Sequence, residues 1–330
     1  MGDPFGIGPE VLVAALARPS LRARARWLVF GDRSVLEKAA GIRGLSLPRE
    51  LEIVSLSQLA GRGFRFGRPG RGSGRHAIAY LEAAVAAVRE GRAQALCTGP
   101  VHKDLMAKAG FAWAGHTDFL RDRFGVPRVV MMLAGPHLRV ALATVHVPLA
   151  EVPGRLSRRG LVEILAIVDS ALRHDFGIRR PRIGVTGVNP HAGENGLLGT
   201  EERKIVGPAL VAARRRGIAA SGPFPADSLF ARQLRTGDFD VILAMAHDQG
   251  LGPLKAVDFE RAVNVTLGLP RPRTSPDHGV AFDIAGRGVA DPTSMGEALA
   301  LAARLAGEGN SLRARPAGER LPRKPRNEQA

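Results

Sequence analysis

Val140-Ala-Leu-Ala-Thr-Val145, Ile183-Gly-Val-Thr-Gly-Val188 and Val241-Ile-Leu-Ala-Met-Ala246 are apolar, strand-like runs, and each gives out at a histidine. His146 follows the first directly, His191 follows the second across Asn189 and Pro190, and His247 follows the third. Short apolar runs bounded by polar residues and alternating with longer amphipathic stretches are the pattern of an α/β fold. In an open α/β sheet the ligand crevice lies beyond the carboxyl ends of the strands. Three imidazoles delivered there by separate strands can converge on one divalent metal, and three protein ligands with open positions suit catalysis. A single histidine at a strand end is ordinarily a hydrogen-bonded loop residue. Three in the same topological place favour a metal, with Asn189, Glu194, Asp248 and Gln249 available to orient the rings.

The rest of the chain extends the alternation. Trp27–Phe30 reads as a strand and Ser34–Ala40 as a helix. Residues 61–75, rich in Gly and Arg, read as a loop. His76–Glu90 has helical spacing, Ala95–Thr98 is a strand, and Gly99-Pro100 a turn. Leu161–Leu172, Val206–Arg216 and Ser294–Ala306 complete the helices. The opening segment, Met1-Gly-Asp-Pro-Phe-Gly-Ile-Gly-Pro-Glu10, is a Gly/Pro-rich loop leading into a helix over Glu10–Ala17. Such loops normally follow a strand, so the expectation is a sheet built differently at this point or one whose first strand lies upstream.

With 330 residues the chain can bury a large core, as two lobes or as one large α/β unit. Its 45% hydrophobic and 24% charged content is that of an ordinary globular protein. The single cysteine, Cys97, forms no internal disulfide and fits a reducing compartment; its apolar surroundings make it a packed thiol rather than a nucleophile. No apolar run reaches membrane-spanning length, no secretory signal is visible, and a cytoplasmic location is expected. The net charge of +16 does not imply nucleic acid, because arginine is scattered and aromatics are only 5%. Part of the excess lies in residues 313–330, expected to be a basic, disordered tail. Residues 1–312 are expected to form the two-lobed unit, its lobes interleaved in sequence.

Two loop–helix junctions can bind anions through free backbone N–H groups. One is Gly6-Ile-Gly8-Pro-Glu10, which is not a GxGxxG fingerprint; the other is Gly115-His116-Thr117-Asp118. Cations cluster after the third histidine, at Lys255, Arg261 and Arg273. Arg273 stands out because Arg273-Thr-Ser-Pro-Asp277-His-Gly279 packs polar groups into one segment, and its planar fork suits carboxylate or phosphate.

His278-Gly-Val-Ala-Phe-Asp-Ile-Ala-Gly-Arg-Gly-Val-Ala-Asp291 resembles the adenine-binding loop of the metal-dependent β-decarboxylating dehydrogenases, the isocitrate and isopropylmalate dehydrogenases. That likeness implies NAD or NADP bound without a Rossmann fingerprint, at His278, Gly279, Ala281, Asp283 and Asp291. The chain as a whole resembles the 4-hydroxythreonine-4-phosphate dehydrogenase family of pyridoxal phosphate biosynthesis. The matching text includes Gly6-Ile-Gly-Pro-Glu10, Thr98-Gly-Pro-Val-His-Lys103, Gly115-His-Thr117, Asn189-Pro-His-Ala-Gly-Glu194, Gly199-Thr-Glu-Glu202, His247-Asp-Gln-Gly250, Val263-Asn-Val-Thr-Leu-Gly268 and Arg273-Thr-Ser275.

The resemblance implies a three-layer α/β/α fold like isocitrate and isopropylmalate dehydrogenases, with two lobes and a central cleft. It implies a homodimer with the active site near the interface, one metal ligand coming from the other subunit. The metal, one zinc, magnesium or cobalt ion per site, would sit on His146, His191 and His247. A phosphorylated small-molecule substrate would meet His116, Thr117, Lys255, Asn264 and Arg273. Asp248 and Lys103 are candidates for the catalytic base. The implied reaction is NAD(P)-dependent oxidation of 4-phosphohydroxy-L-threonine followed by decarboxylation. The alternative substrates are 4-phospho-D-threonate and 4-phospho-D-erythronate. Ala246, Val280 and Phe5 depart from the residues usual in the family and bear on pocket shape, hence on that choice. Members carry a hydrophobic strand before Gly2-Asp3, so an upstream start is expected. Neither nucleic acid nor membrane is an expected partner.

Overall fold

The structure, a computed structural model of the chain, describes residues 1–313 apart from 62 and 71, with 308–313 followed as helix backbone alone. The strands are β1 (Leu28–Gly31), β2 (Glu52–Ser55), β3 (Leu96–Cys97), β4 (Val130–Ala134), β5 (Arg139–Leu142), β6 (Arg182–Thr186), β7 (Ala219–Phe224), β8 (Val241–Ala244), β9 (Val263–Leu267) and β10 (Arg273–Pro276). Eight of them form one mixed sheet in the order β3-β10-β9-β4-β5-β8-β6-β7; β1 and β2 form a separate parallel pair. The three runs that lead to histidines are β5, β8 and β6. They are adjacent and parallel, with Val140 opposite Ile242 and Ile183 opposite Val241. Their carboxyl ends therefore leave the sheet side by side.

Helices cover both faces of this sheet, which is why its central strands are continuously apolar. On one face Arg158–His174, Gly207–Arg215 and Thr293–Arg313 bury Leu165, Leu172, Ala213 and Leu305 against Met132, Ile183, Val265 and Leu243. The first of these helices starts at Ser157, whose hydroxyl accepts from Gly160 N at 3.1 Å. On the other face Ala226–Thr236 and His247–Asp258 bury Leu229, Phe230, Leu251 and Leu254 against Leu133, Val140 and Ile242. The result is the expected three-layer α/β/α sandwich. A further core joins Gly8–Leu16 and Arg33–Ile42 to Val29, Met295 and Leu299, beside the β1–β2 pair. Between β1 and β3 lies an apolar cavity of 510 Å³, lined by Leu12, Leu16, Val29, Val88, Leu96 and Ala302 among others.

Several boundaries differ from the sequence reading for a shared reason. β5 ends at Leu142, β6 at Thr186 and β8 at Ala244, short of the apolar runs. There, side-chain hydrogen bonds take over from the ladder: Thr144 Oγ1 donates to Met245 O at 2.7 Å, and Thr186 Oγ1 donates to Gln249 Oε1 at 2.8 Å. The last helix runs past Ala306 to Arg313, so Arg313 is helical rather than part of a tail. The expected tail over 314–330 lies outside the described residues. Residues 1–7 run without strand structure, as the Gly/Pro-rich text predicts, and Asp3 N donates to Pro100 O at 2.9 Å.

Candidate functional site

His146 and His247 come together at the ends of β5 and β8, their ring centres 5.5 Å apart. Thr144 ties the first of these strand ends to the second through Met245 O. Gln249 ties the second to β6: its Oε1 accepts from Met245 N at 2.8 Å and its Nε2 donates to Gly187 O at 2.7 Å. Gly250 lets the helix begun by His247 press close, because a Cβ there would stand 2.7 Å from Val140. His146 is held at φ 50°, in the left-handed region that a side chain rarely adopts. Burial, then the Lys103 charge, then His247 hold the His146 imidazole below its ordinary pKa, so it stays neutral. His247 Nδ1 is 2.7 Å from Asp248 Oδ1. A carboxylate only accepts, so Nδ1 carries the proton and Nε2 keeps its lone pair.

These two imidazoles fit a divalent ion. With metal–nitrogen distances of about 2.0–2.1 Å, two rings on one tetrahedral ion have centres roughly 5 Å apart. The third predicted ligand is not with them. Among the described residues no three His, Cys, Asp or Glu side chains stand close enough to hold a metal. His191 sits exposed on the loop after β6, in a run of left-handed residues from His191 to Asn195. Within one chain, then, the described residues bring two of the three histidines together. The loop itself is firmly built. Glu202 Oε1 accepts from Val188 N and Asn189 N, both at 2.8 Å, and Glu201 accepts from Asn189 Nδ2 at 2.8 Å.

A second cluster surrounds Arg273, which opens β10 opposite Leu96 and Thr266 and is 4% exposed. Its Nη2 donates to Thr98 Oγ1 at 2.6 Å and lies 3.4 Å from His116 Nδ1; its Nη1 donates to Thr266 Oγ1 at 3.1 Å. Arg273 Nε and His116 Nε2 are buried without a partner. Burial, then Arg273, then Lys103 push the His116 pKa down to about 3, so the ring is neutral. Burial lowers Arg273 to about 10, leaving it charged. A buried cation with an unspent donor beside a neutral ring with an unspent nitrogen is built to receive an anion. Thr117 follows His116 in the first turn of the helix His116–Arg123.

Lys103 stands between the two clusters: its charge acts on both His116 and His146, and its Nζ approaches Gly115. Asn264 lies on β9, opposite Ser275 on β10 and Leu133 on β4. Lys255 is occupied by an ion pair with Asp277 at 2.8 Å, just past the end of β10. Thr98 and Thr266 were not singled out from the sequence, because a threonine in a strand reads as ordinary β propensity.

The 278–291 segment packs against the opening loop and against Phe66 and Gly67. Ile7 N donates to Val280 O at 2.9 Å, and Gly67 and Gly286 sit where a Cβ would strike Phe282 O and Phe66. His278 Nε2 is buried and unpartnered, Gly279 opens onto free space and Ala281 has a φ of 42°, features that fit a bound group. Asp283 is exposed. Asp291 accepts from Thr293 N and Oγ1, and so caps the last helix.

Residues 23–302 match the family described as pyridoxal phosphate biosynthetic protein PdxA. A 4-hydroxythreonine-4-phosphate dehydrogenase of Burkholderia vietnamiensis is 47% identical over 92% of this chain and 94% of its own length. That of Desulforapulum autotrophicum is 43% identical over 92% and 93%. The crystal structure of a 4-hydroxythreonine-4-phosphate dehydrogenase from Klebsiella pneumoniae superposes with a TM-score of 0.84, at 36% identity, over 93% of this chain and 96% of that one.

Proposed function

The chain belongs to the PdxA family, and on that premise we propose that it is an oxidoreductase that oxidises the secondary alcohol of 4-phosphohydroxy-L-threonine. The product, 2-amino-3-oxo-4-phosphooxybutanoate, then loses CO2 to give 3-amino-2-oxopropyl phosphate. The observation that carries this reading is the anion cluster: Arg273 Nε and His116 Nε2, both buried and unspent, on the same floor as the His146–His247 pair.

Arg273, with Thr98 and Thr266 fixing its fork, grips one anionic end of the substrate, and the neutral His116 adds a hydrogen bond beside it. Thr117, Lys255 and Asn264 complete the contacts, Lys255 exchanging its Asp277 partner for substrate. His146 and His247, with His191 of the partner subunit, would hold a zinc, magnesium or cobalt ion. When bound, such an ion supplies Lewis-acid polarisation of the alcohol. NAD or NADP on the 278–291 loop supplies the hydride acceptor when bound. Asp248 is committed to His247 Nδ1 and acts there by orienting the ring. Lys103, whose charge reaches both clusters, is the remaining candidate for the base; it would receive the alcohol proton at Nζ only as the neutral amine. The assembly is a homodimer of two-lobed subunits, the lobes interleaved in sequence. No described helix is long and apolar enough to cross a membrane, and we place the enzyme in the cytoplasm.

The test is reduction of NAD+ and NADP+ by 4-phosphohydroxy-L-threonine and 4-phospho-D-threonate side by side, with divalent metal and then with chelator. Metal-dependent turnover of the threonine phosphate is expected. Turnover of the threonate alone would move the activity to sugar-acid oxidation, and turnover of neither by folded, metal-loaded protein would overturn the reading.

A further inference from the structure

Glu10 is completely buried, and among the described residues its carboxylate hydrogen-bonds to none of the side chains placed around the substrate or the histidine pair. Both of its carboxylate oxygens are spent on one distant loop: one accepts from Gly286 N and the other from Gly288 N, the latter at 2.9 Å. The same loop is gripped through its carbonyls by Arg43, whose Nη1 donates to Gly288 O at 2.7 Å and Ala290 O at 2.8 Å. Gly286 and Gly288 both have left-handed φ, 82° and 71°, and a Cβ would strike Phe66 at the first and crowd Ile42 O at the second. A buried carboxylate is costly to take out of water unless hydrogen bonds repay it. A turn that only had to be closed could be closed by a neutral residue. Here a buried anion and a guanidinium take opposite edges of the 286–290 backbone and fix its peptide planes.

We propose that Glu10, seconded by Arg43, is a positioning residue for the nicotinamide cofactor: it sets the loop that receives the adenosine half and leaves substrate binding alone. The proposal rests on reading 278–291 as the cofactor loop. It explains why that loop needs no GxGxxG helix start, since its geometry is imposed from the first helix, Gly8–Leu16, and from Arg33–Ile42 behind it.

The experiment compares wild type, Glu10→Gln and Arg43→Ala in three measurements. These are NAD+ affinity in the absence of substrate, hydrogen exchange of the 284–290 amides, and the KM for each substrate against kcat. Glu10→Gln keeps the shape, but its amide nitrogen cannot accept. Expected are faster exchange at Gly286 and Gly288 and NAD+ affinity weaker by about tenfold or more, as for loss of a hydrogen bond to a charged group. The KM for the phosphorylated substrate should stay unchanged. Faster exchange with unchanged NAD+ affinity would overturn the proposal while leaving the dehydrogenase reading intact. Absence of turnover in wild type would sink that reading, yet NAD+ binding that weakens in the variant would still uphold the role of Glu10. If Glu10→Gln does not fold, Arg43→Ala, on the half-exposed side of the loop, carries the same comparison; unchanged NAD+ affinity there would refute it.

Discussion

Arg273 carries its charge into a site where, among the described residues, no carboxylate pairs with it, and its hydrogen-bond partners are two hydroxyls and a neutral ring. An unpaired buried charge is costly, so an anion that enters should stabilise the fold by linkage. Inorganic phosphate should raise the Tm of the wild type and leave that of Arg273→Met unmoved. Arg273→Lys retains the charge but loses the fork, and kcat/KM should fall by about 100-fold, equivalent to roughly 2–3 kcal/mol of charged hydrogen bonding. His116 has a folded pKa of about 3 against an ordinary 6.5, so between those values the unfolded chain binds the additional proton. Its contribution is complete above pH 6.5 and is lost as pH falls, at about 1.4 kcal/mol per pH unit. Denaturation of His116→Gln should show a correspondingly shallower acid slope than wild type; equal slopes would show that His116 titrates normally.

At the scale of elements, the site is a product of where strands stop. β5, β8 and β6 are adjacent and parallel, and beyond the last ladder bonds their ends are tied by Thr144, Thr186 and Gln249. Gln249→Ala should lower metal affinity 10–100-fold, the usual effect of removing a group that orients ligands, while the helix His247–Asp258 persists by circular dichroism. Unchanged metal affinity would separate the strand ties from the histidine pair. Much of this was legible in the sequence, because apolar runs ending at polar residues are local signals: the strands, the flanking helices and the delivery of His146 and His247 to one edge all follow from them. What was not legible is non-local. The left-handed path from His191 to Asn195 carries that imidazole away from the pair, and the Glu201 and Glu202 carboxylates that fix its start at Asn189 lie 12 and 13 residues along the chain. The ion pair of Lys255 with Asp277 joins residues more than twenty apart, and nothing local announces it. The role of Glu10 has no local signal, since its partners are Gly286 and Gly288 near the other end of the chain.

For the whole molecule, one chain presents two imidazoles on one floor and a third on an exposed loop. That loop borders a 620 Å³ concavity with Glu194, Asn195, Arg203, Pro223 and Pro225. Leu197 and Leu198 stand exposed beside His191, and Leu149 stands exposed near His146, apolar groups that an interface would cover. A two-fold dimer would exchange such loops reciprocally, each chain completing its partner's site. The claim on which the rest depends is therefore the origin of the third imidazole. The most direct measurement mixes His191→Ala with His247→Ala chains after dissociation and follows cofactor reduction. If each site draws His146 and His247 from one chain and His191 from the other, two inactive proteins should regain about a quarter of wild-type activity, since half the dimers are mixed and each holds one intact site. If all three histidines serve within one chain, or if His191 serves no site, that recovery will not occur: the mixture will stay inactive in the first case, and His191→Ala will be active alone in the second.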